Sequence, residues 1–217
     1  MVRTALVIAC AGSCAAGLAP GSATPGGAET ESAAAAPAQR DASVFVVDLA
    51  HSTIIYRIRH FGLANFYGRI LAPDGEFRLD EDDLGSSFVN IIIDIKRMDA
   101  GNDQRDAFLL SPDFFNVREY PKATFKSKSV RKIAEGAYEA TGEFTMRGVT
   151  KPLTVKIEQF ATGDFPGFGH RAGFETTFTI KRTDFGMQAY LKDGTLGDEV
   201  QITAAIQGYV DPDAEDN

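Results

Sequence analysis

Few residue types in this chain can do covalent chemistry, and their spacing argues against most of it. The 217 residues include three histidines, His51, His60 and His170, which are scattered and lack the H-x-x-x-H spacing that a metal hydrolase needs. No G-x-S-x-G elbow is present to raise a serine nucleophile. The two cysteines, Cys10 and Cys14, both fall within the first fourteen residues. Residues 15–217 therefore hold no disulfide, thiolate metal site or cysteine nucleophile. No test for a catalytic constellation is met, so catalytic residues, metal and cofactor are each expected to be none.

The cysteines suit a different chemistry. A basic Arg3 precedes a short apolar stretch, and small residues follow. Residues 1–14 read as an export signal, and the tetrapeptides ending at Cys10 and Cys14 resemble a lipoprotein signal. Cys14 leaves the longer apolar region before it and is the candidate lipidation site. Residues 15–43 are rich in Ala, Gly, Pro, Ser and Thr, and cannot bury enough surface to offset their ordering entropy. They read as a flexible tether. Residues 212–217 read as an acidic tail. The expected location is the periplasm or cell envelope, with a membrane-surface contact through the lipid anchor.

Composition narrows the partners. Apolar residues make up 44% and charged residues 24%, as in an ordinary globular protein. The formal net charge is −8, which gives no hold on a phosphate backbone and excludes nucleic acid as a natural partner. A basic cluster, Lys122, Lys126, Lys128, Arg131 and Lys132, reads as a solvated strand face.

From residue 44 onward, apolar and polar residues alternate with period two. The dry face carries Ile54, Tyr56, Ile58 and His60, then Phe66 and Ile70, then Val89, Ile91 and Ile93. Further along it carries Phe125, then Tyr138, Phe144 and Met146, then Phe174, Phe178 and Ile180, then Ile202 and Ile206. One wet and one dry face is the signature of antiparallel sheet. Turn residues such as Pro73-Asp74-Gly75 and Gly163-Asp164 punctuate the runs. About eight such strands fit a closed barrel or a two-sheet sandwich. One excursion breaks the pattern: Asn102 caps a short helix through about Leu110, and Ser111-Pro112 restarts a turn. Phe108 and Phe114 in this excursion read as core packing or as a lid over an entrance.

The inward face mixes these large residues with small ones, Gly68, Ala140, Gly142, Thr176, Ala204 and Gly208. At eight strands a barrel either fills or leaves room for one ligand, and small residues favour room. The chain has sixteen Phe and no Trp, a lining with few polar atoms to satisfy.

Several blocks resemble a known family. HSTIIYRIRHFGLANFYGRI (residues 51–70), RDAFLLSPDFFNVREYPKATFKS (105–127), GEFTMRGVTKPLTV (142–155), RAGFETTFTIKRTDFGM (171–187) and LGDEVQITAAI (196–206) resemble the YceI family in order and spacing. The resemblance implies an all-β domain over residues 44–211: an extended antiparallel lipocalin-like β-barrel of about eight strands with a short helical excursion. It implies a bound isoprenoid-type lipid, polyprenyl or quinone-like, that is carried or sequestered and not chemically altered. The dry-face residues above, with Phe108 and Phe114, then line its tunnel, while His60, Arg105 and Asp106 hold a head group or fix a loop. The alternatives are an envelope enzyme acting on such a lipid and a structural surface lipoprotein with no ligand. A homodimer stays open.

Overall fold

The computed structural model describes residues 43–211. The export signal, the acidic tail and the tether apart from Ser43 lie outside the described residues, as do Cys10 and Cys14.

The expected barrel is present: eight walls close in an up-and-down antiparallel ring. Three walls are broken in two. β1 (Phe45–Val47) and β2 (Thr53–His60) run in one line along β11 (Leu196–Tyr209), with Val47 opposite Gly208 and Ile58 opposite Val200. β3 (Ala64–Leu71) pairs with β2, and β4 (Asp74–Arg78) pairs with β1. β5 (Phe88–Asp94) and β6 (Met98–Asp99) pair with β4 and β3 in turn. The other walls are β7 (Lys122–Ala134), β8 (Ala137–Met146), β9 (Val149–Phe165), β10 (Gly169–Lys181) and β11.

Each break has a local cause. After β1 the Asp48 carboxylate accepts from the Ala50 amide at 2.9 Å and the His51 amide at 3.2 Å, an Asx-type turn. Between β3 and β4, Ala72 takes a left-handed φ of 51° and Pro73 has no amide to offer a ladder. Between β5 and β6, Asp94 caps a single 3-10 turn through the Lys96 amide at 3.0 Å. Pro73-Asp74-Gly75 does interrupt the strand run, as expected from sequence, but as a kink within one wall and not as a chain reversal. Gly163-Asp164, expected to punctuate a run, lies inside one: β9 continues to Phe165, and the chain reverses where the Phe168 amide donates to the Phe165 carbonyl.

α1 (Asp103–Leu109) follows β6, with the Asn102 side chain accepting from the Arg105 amide at 3.0 Å, the cap expected from sequence. The basic face of β7 is solvated and cross-paired: Lys128 reaches Glu143, Arg131 reaches Glu139, and Lys132 reaches Glu81 and Glu135. Phe45, Phe77, Tyr138 and Ile157 are fully enclosed and fill the end of the barrel near β1.

Candidate functional site

A cavity of about 400 Å³ runs down the barrel interior. Its size falls within the usual range for small-molecule sites. The wall is built by the period-two rule: alternate residues of β2, β3, β5 and β7 to β11 face inward and, Thr176 apart, are aliphatic or aromatic. All of the tunnel residues expected from sequence lie on this wall except Tyr138.

Tyr138 is the correction. Its ring is enclosed against Phe160 at 5.7 Å, and its hydroxyl donates to Glu81. A phenol needs a partner when buried, and the acidic loop after β4 supplies one beyond the floor of the cavity. The floor itself is an aromatic stack, with Phe45 on Phe77 at 5.4 Å and Phe77 edge-on to Phe174 at 5.1 Å.

The small residues also act differently from the sequence expectation. A Cβ on Gly68 would collide with the Tyr56 phenol, and one on Gly208 with Phe45 and Phe77. A Cβ on Gly142 would strike the β7 backbone, 2.2 Å from the Lys126 carbonyl oxygen. These glycines admit neighbouring groups and add no open volume. Ala140 is enclosed and lies off the cavity wall, so of the six small residues expected there only Thr176 and Ala204 are on it. The cavity arises from barrel closure around aliphatic and aromatic side chains, not from glycine spacing.

The mouth lies at the α1 end. Phe108 of α1 meets Tyr190 at 5.8 Å and Phe114 at 5.1 Å, and the Phe108 and Tyr190 rings stand partly in solvent. This cluster caps the cavity like a lid. Tyr190, from the loop between β10 and β11, carried no signal in the period-two pattern. His60 is exposed at the rim with its ring edge-on to Phe61 at 4.4 Å. Arg105 lines the rim, donates to the Ala100 carbonyl and lies 4.6 Å over the Phe66 ring. Asp106 lies off the wall: its carboxylate accepts from the Ala100 amide at 2.8 Å and so fixes the loop into α1.

Sequence reasoning missed Arg182. It is 2% exposed, borders the cavity, and donates to the carbonyls of Gly197 at 2.7 Å, Met187 at 2.9 Å and Leu196 at 3.2 Å. Burial pushes its pKa down, and nearby Asp198 works against that shift. Its fork of donors pins the loop after β10 to the start of β11. Tyr56, on the wall, has its phenol pushed up, mainly by burial and further by the Asp106 charge.

Polar clusters sit away from the cavity. His170 bridges Asp164 and Thr162, each at 2.8 Å, at the β9–β10 hairpin. The order resembles a nucleophile–base–acid relay, but the Asp164 side chain is 88% exposed and the hairpin is at the far end of the barrel from the mouth. Beside it, Asp48 accepts from His51 and Arg171. Burial pushes this carboxyl up, yet the bonds from His51, Arg171 and the amides of Ala50 and His51 outweigh burial and hold it well below the usual carboxylate range. Among the described residues no group of three or more His, Cys, Asp or Glu could hold a metal ion, and no helix is long and apolar enough to cross a membrane.

Comparison with known proteins places these features in a family. The YceI-like domain matches residues 45–208. A UPF0312 protein of Pseudomonas aeruginosa is 39% identical over 158 residues, covering 73% of this chain and 81% of that one. Protein YceI of Escherichia coli is 37% identical over the same shares. Among solved structures, Burkholderia cenocepacia BcnA superposes with a TM-score of 0.67 at 23% identity, covering 74% of this chain and 98% of that one. A polyisoprenoid binding domain from Saccharophagus degradans superposes with a TM-score of 0.59 at 12% identity, covering 77% and 98%. At these identities the two structures speak to the fold alone.

Proposed function

Because the chain belongs to the YceI-like domain family, we propose that it binds a long apolar lipid of isoprenoid type, polyprenyl or quinone-like, inside its barrel. It carries or sequesters that lipid in the cell envelope and leaves it chemically unchanged. The observation that carries this reading is the cavity, whose wall is almost wholly aliphatic and aromatic and whose mouth is lidded by Phe108 and Tyr190. The name of the Saccharophagus degradans domain points the same way.

The energetics suffice. About ten buried carbons at ~0.8 kcal/mol each give roughly 8 kcal/mol gross. That is near micromolar affinity before ordering costs, so the tail alone supports binding and the head group need not be tightly held. Arg105 and His60 at the rim are the groups available to a head.

The test is mass spectrometry of an organic extract of gently purified protein. A co-purifying isoprenoid supports the reading. Protein from its native compartment that carries no apolar molecule, and takes up none when offered polyprenols or quinones, ends it. Turnover of an offered lipid would put an enzyme in its place.

The location is part of the same proposal. Export is ascribed to residues 1–14 and anchoring to Cys14, on the sequence pattern alone. Release of a Cys14→Ser variant into the soluble periplasm supports anchoring. Wild-type protein that is already soluble there, with its amino terminus beyond residue 15, removes it.

A further inference from the structure

The hairpin joining β2 to β3 is built against its own comfort. The Leu63 amide donates to the His60 carbonyl at 3.0 Å, and the two residues between, Phe61 and Gly62, take φ of 51° and 65°. Mirror-image hairpin turns use such angles, and Asn-Gly is the usual occupant. A bulky phenylalanine in the left-handed region is strained. It is also unsheltered: Phe61 is 58% exposed, and Leu63 is 80% exposed. Strain and exposure at one apolar tip point to a function for the tip.

Its position says which function. The Phe61 amide donates to the Thr195 carbonyl at 2.8 Å, and Thr195 borders the cavity. The tip therefore stands beside the mouth, next to the half-exposed lid rings Phe108 and Tyr190. Arg59 sits just below it, its guanidinium on the Gly62 carbonyl at 2.8 Å, at the level where lipid phosphates would lie if the tip were immersed.

We propose that the Phe61–Leu63 tip inserts into the surface of a lipid bilayer, so that the barrel mouth opens onto the membrane and an apolar ligand passes between them without crossing water. This rests on the lipid-binding reading above. A bilayer suits the tip better than a second copy of the chain because the tip is continuous with the opening of an apolar cavity. The net charge of −8 makes insertion, not charge attraction, the driving term, so docking should survive high salt.

The chain has no tryptophan, so single reporters are clean. Leu63→Trp marks the tip, and Phe168→Trp, at a residue 67% exposed on the β9–β10 hairpin, marks the opposite end. With vesicles of equal parts phosphatidylethanolamine and phosphatidylglycerol, the Leu63→Trp emission should shift to the blue and be quenched by brominated lipid, in low and high salt alike. The Phe168→Trp emission should not move. A second arm follows uptake of retinol, a fluorescent isoprenoid, by a Phe61→Ser, Leu63→Asp double variant. Uptake from vesicles should slow on the order of tenfold, since two apolar anchors are lost, and uptake from ethanol should be unchanged.

An unmoved Leu63→Trp signal, equal shifts at both reporters, or equal vesicle uptake by both proteins overturns the docking proposal while leaving lipid binding intact. A blue shift without vesicles that follows dimer formation in sedimentation assigns the tip to a second copy and also overturns it. If wild-type protein takes up no retinol even from ethanol, the lipid-binding reading falls first and the docking proposal with it.

Discussion

The Tyr56 ring lies flat across Gly68, its register partner on the neighbouring strand, so that a Cβ on Gly68 would sit 2.2 Å from the phenol oxygen. The glycine is what keeps this ring against the wall and out of the cavity. Gly68→Ala should push the ring inward. Lipid content measured by extraction should fall, while circular dichroism still reports mainly strand.

The Tyr56 hydroxyl is buried and finds no hydrogen-bond partner among the described residues. Tyr56→Phe removes an unmatched polar atom and keeps the ring. Stability should rise by about 1 kcal/mol in urea unfolding. A loss of more than that amount would show the hydroxyl to be satisfied in solution.

Blocking the cavity needs a residue that faces it. Gly142→Leu would drive into the β7 backbone and break the sheet, so it is no plug. Ala204 lies on the wall beside Thr176 and Ile54. Ala204→Phe should expel ligand at a cost below about 3 kcal/mol, since open volume accepts the ring. By contrast Phe144→Ala, which strips a buried ring packed edge-on to Phe185 at 5.5 Å, should cost about 3 kcal/mol and enlarge the cavity. Melting curves paired with lipid extraction separate the two.

Arg182→Met would remove the donor group that three carbonyls share near the start of β11. A loss of about 3 kcal/mol is expected, and Arg182→Lys should recover little of it because an ammonium cannot reproduce the fork. Proteolysis should appear first in the loop after β10.

The acid limb of stability should contain an Asp48 contribution. Its folded pKa is depressed, so the stabilisation is fully present above the unfolded carboxylate value of about 4 and fades as pH falls from there toward the folded value. Asp48→Asn should be less stable at neutral pH and should lose less on acidification. Urea midpoints across that range check both signs.

Much of this was legible in the chain itself. Alternation placed Ile54, Phe144 and Phe178 on one inner wall because a strand leaves no other choice. Asn102 announced its helix because a side chain is needed to satisfy a free amide there. The failures share a cause: long-range partners. Tyr138 has the right spacing for the wall, but Glu81, far off in sequence, holds its hydroxyl beyond the floor. Gly142 looked like empty space, and the Lys126 backbone fills it. Arg182 gave no signal in the sequence, since its acceptors are main-chain carbonyls that no side-chain pattern reveals.

The broken walls have a consequence for timing. At the floor, closure rests on β1 held between β4 and β11; at the mouth, it rests on β2 between β3 and β11. The turn at Asp48 and the kink at Ala72 lie between these two latches. The enclosed Phe45, Val47 and Phe77 back the floor latch, so the latch beside the lid is expected to release first, making the barrel a one-ended valve. Amide exchange should be quicker in β3 and β6 than in β4 and β5, and residence time of a guest should follow the faster pair.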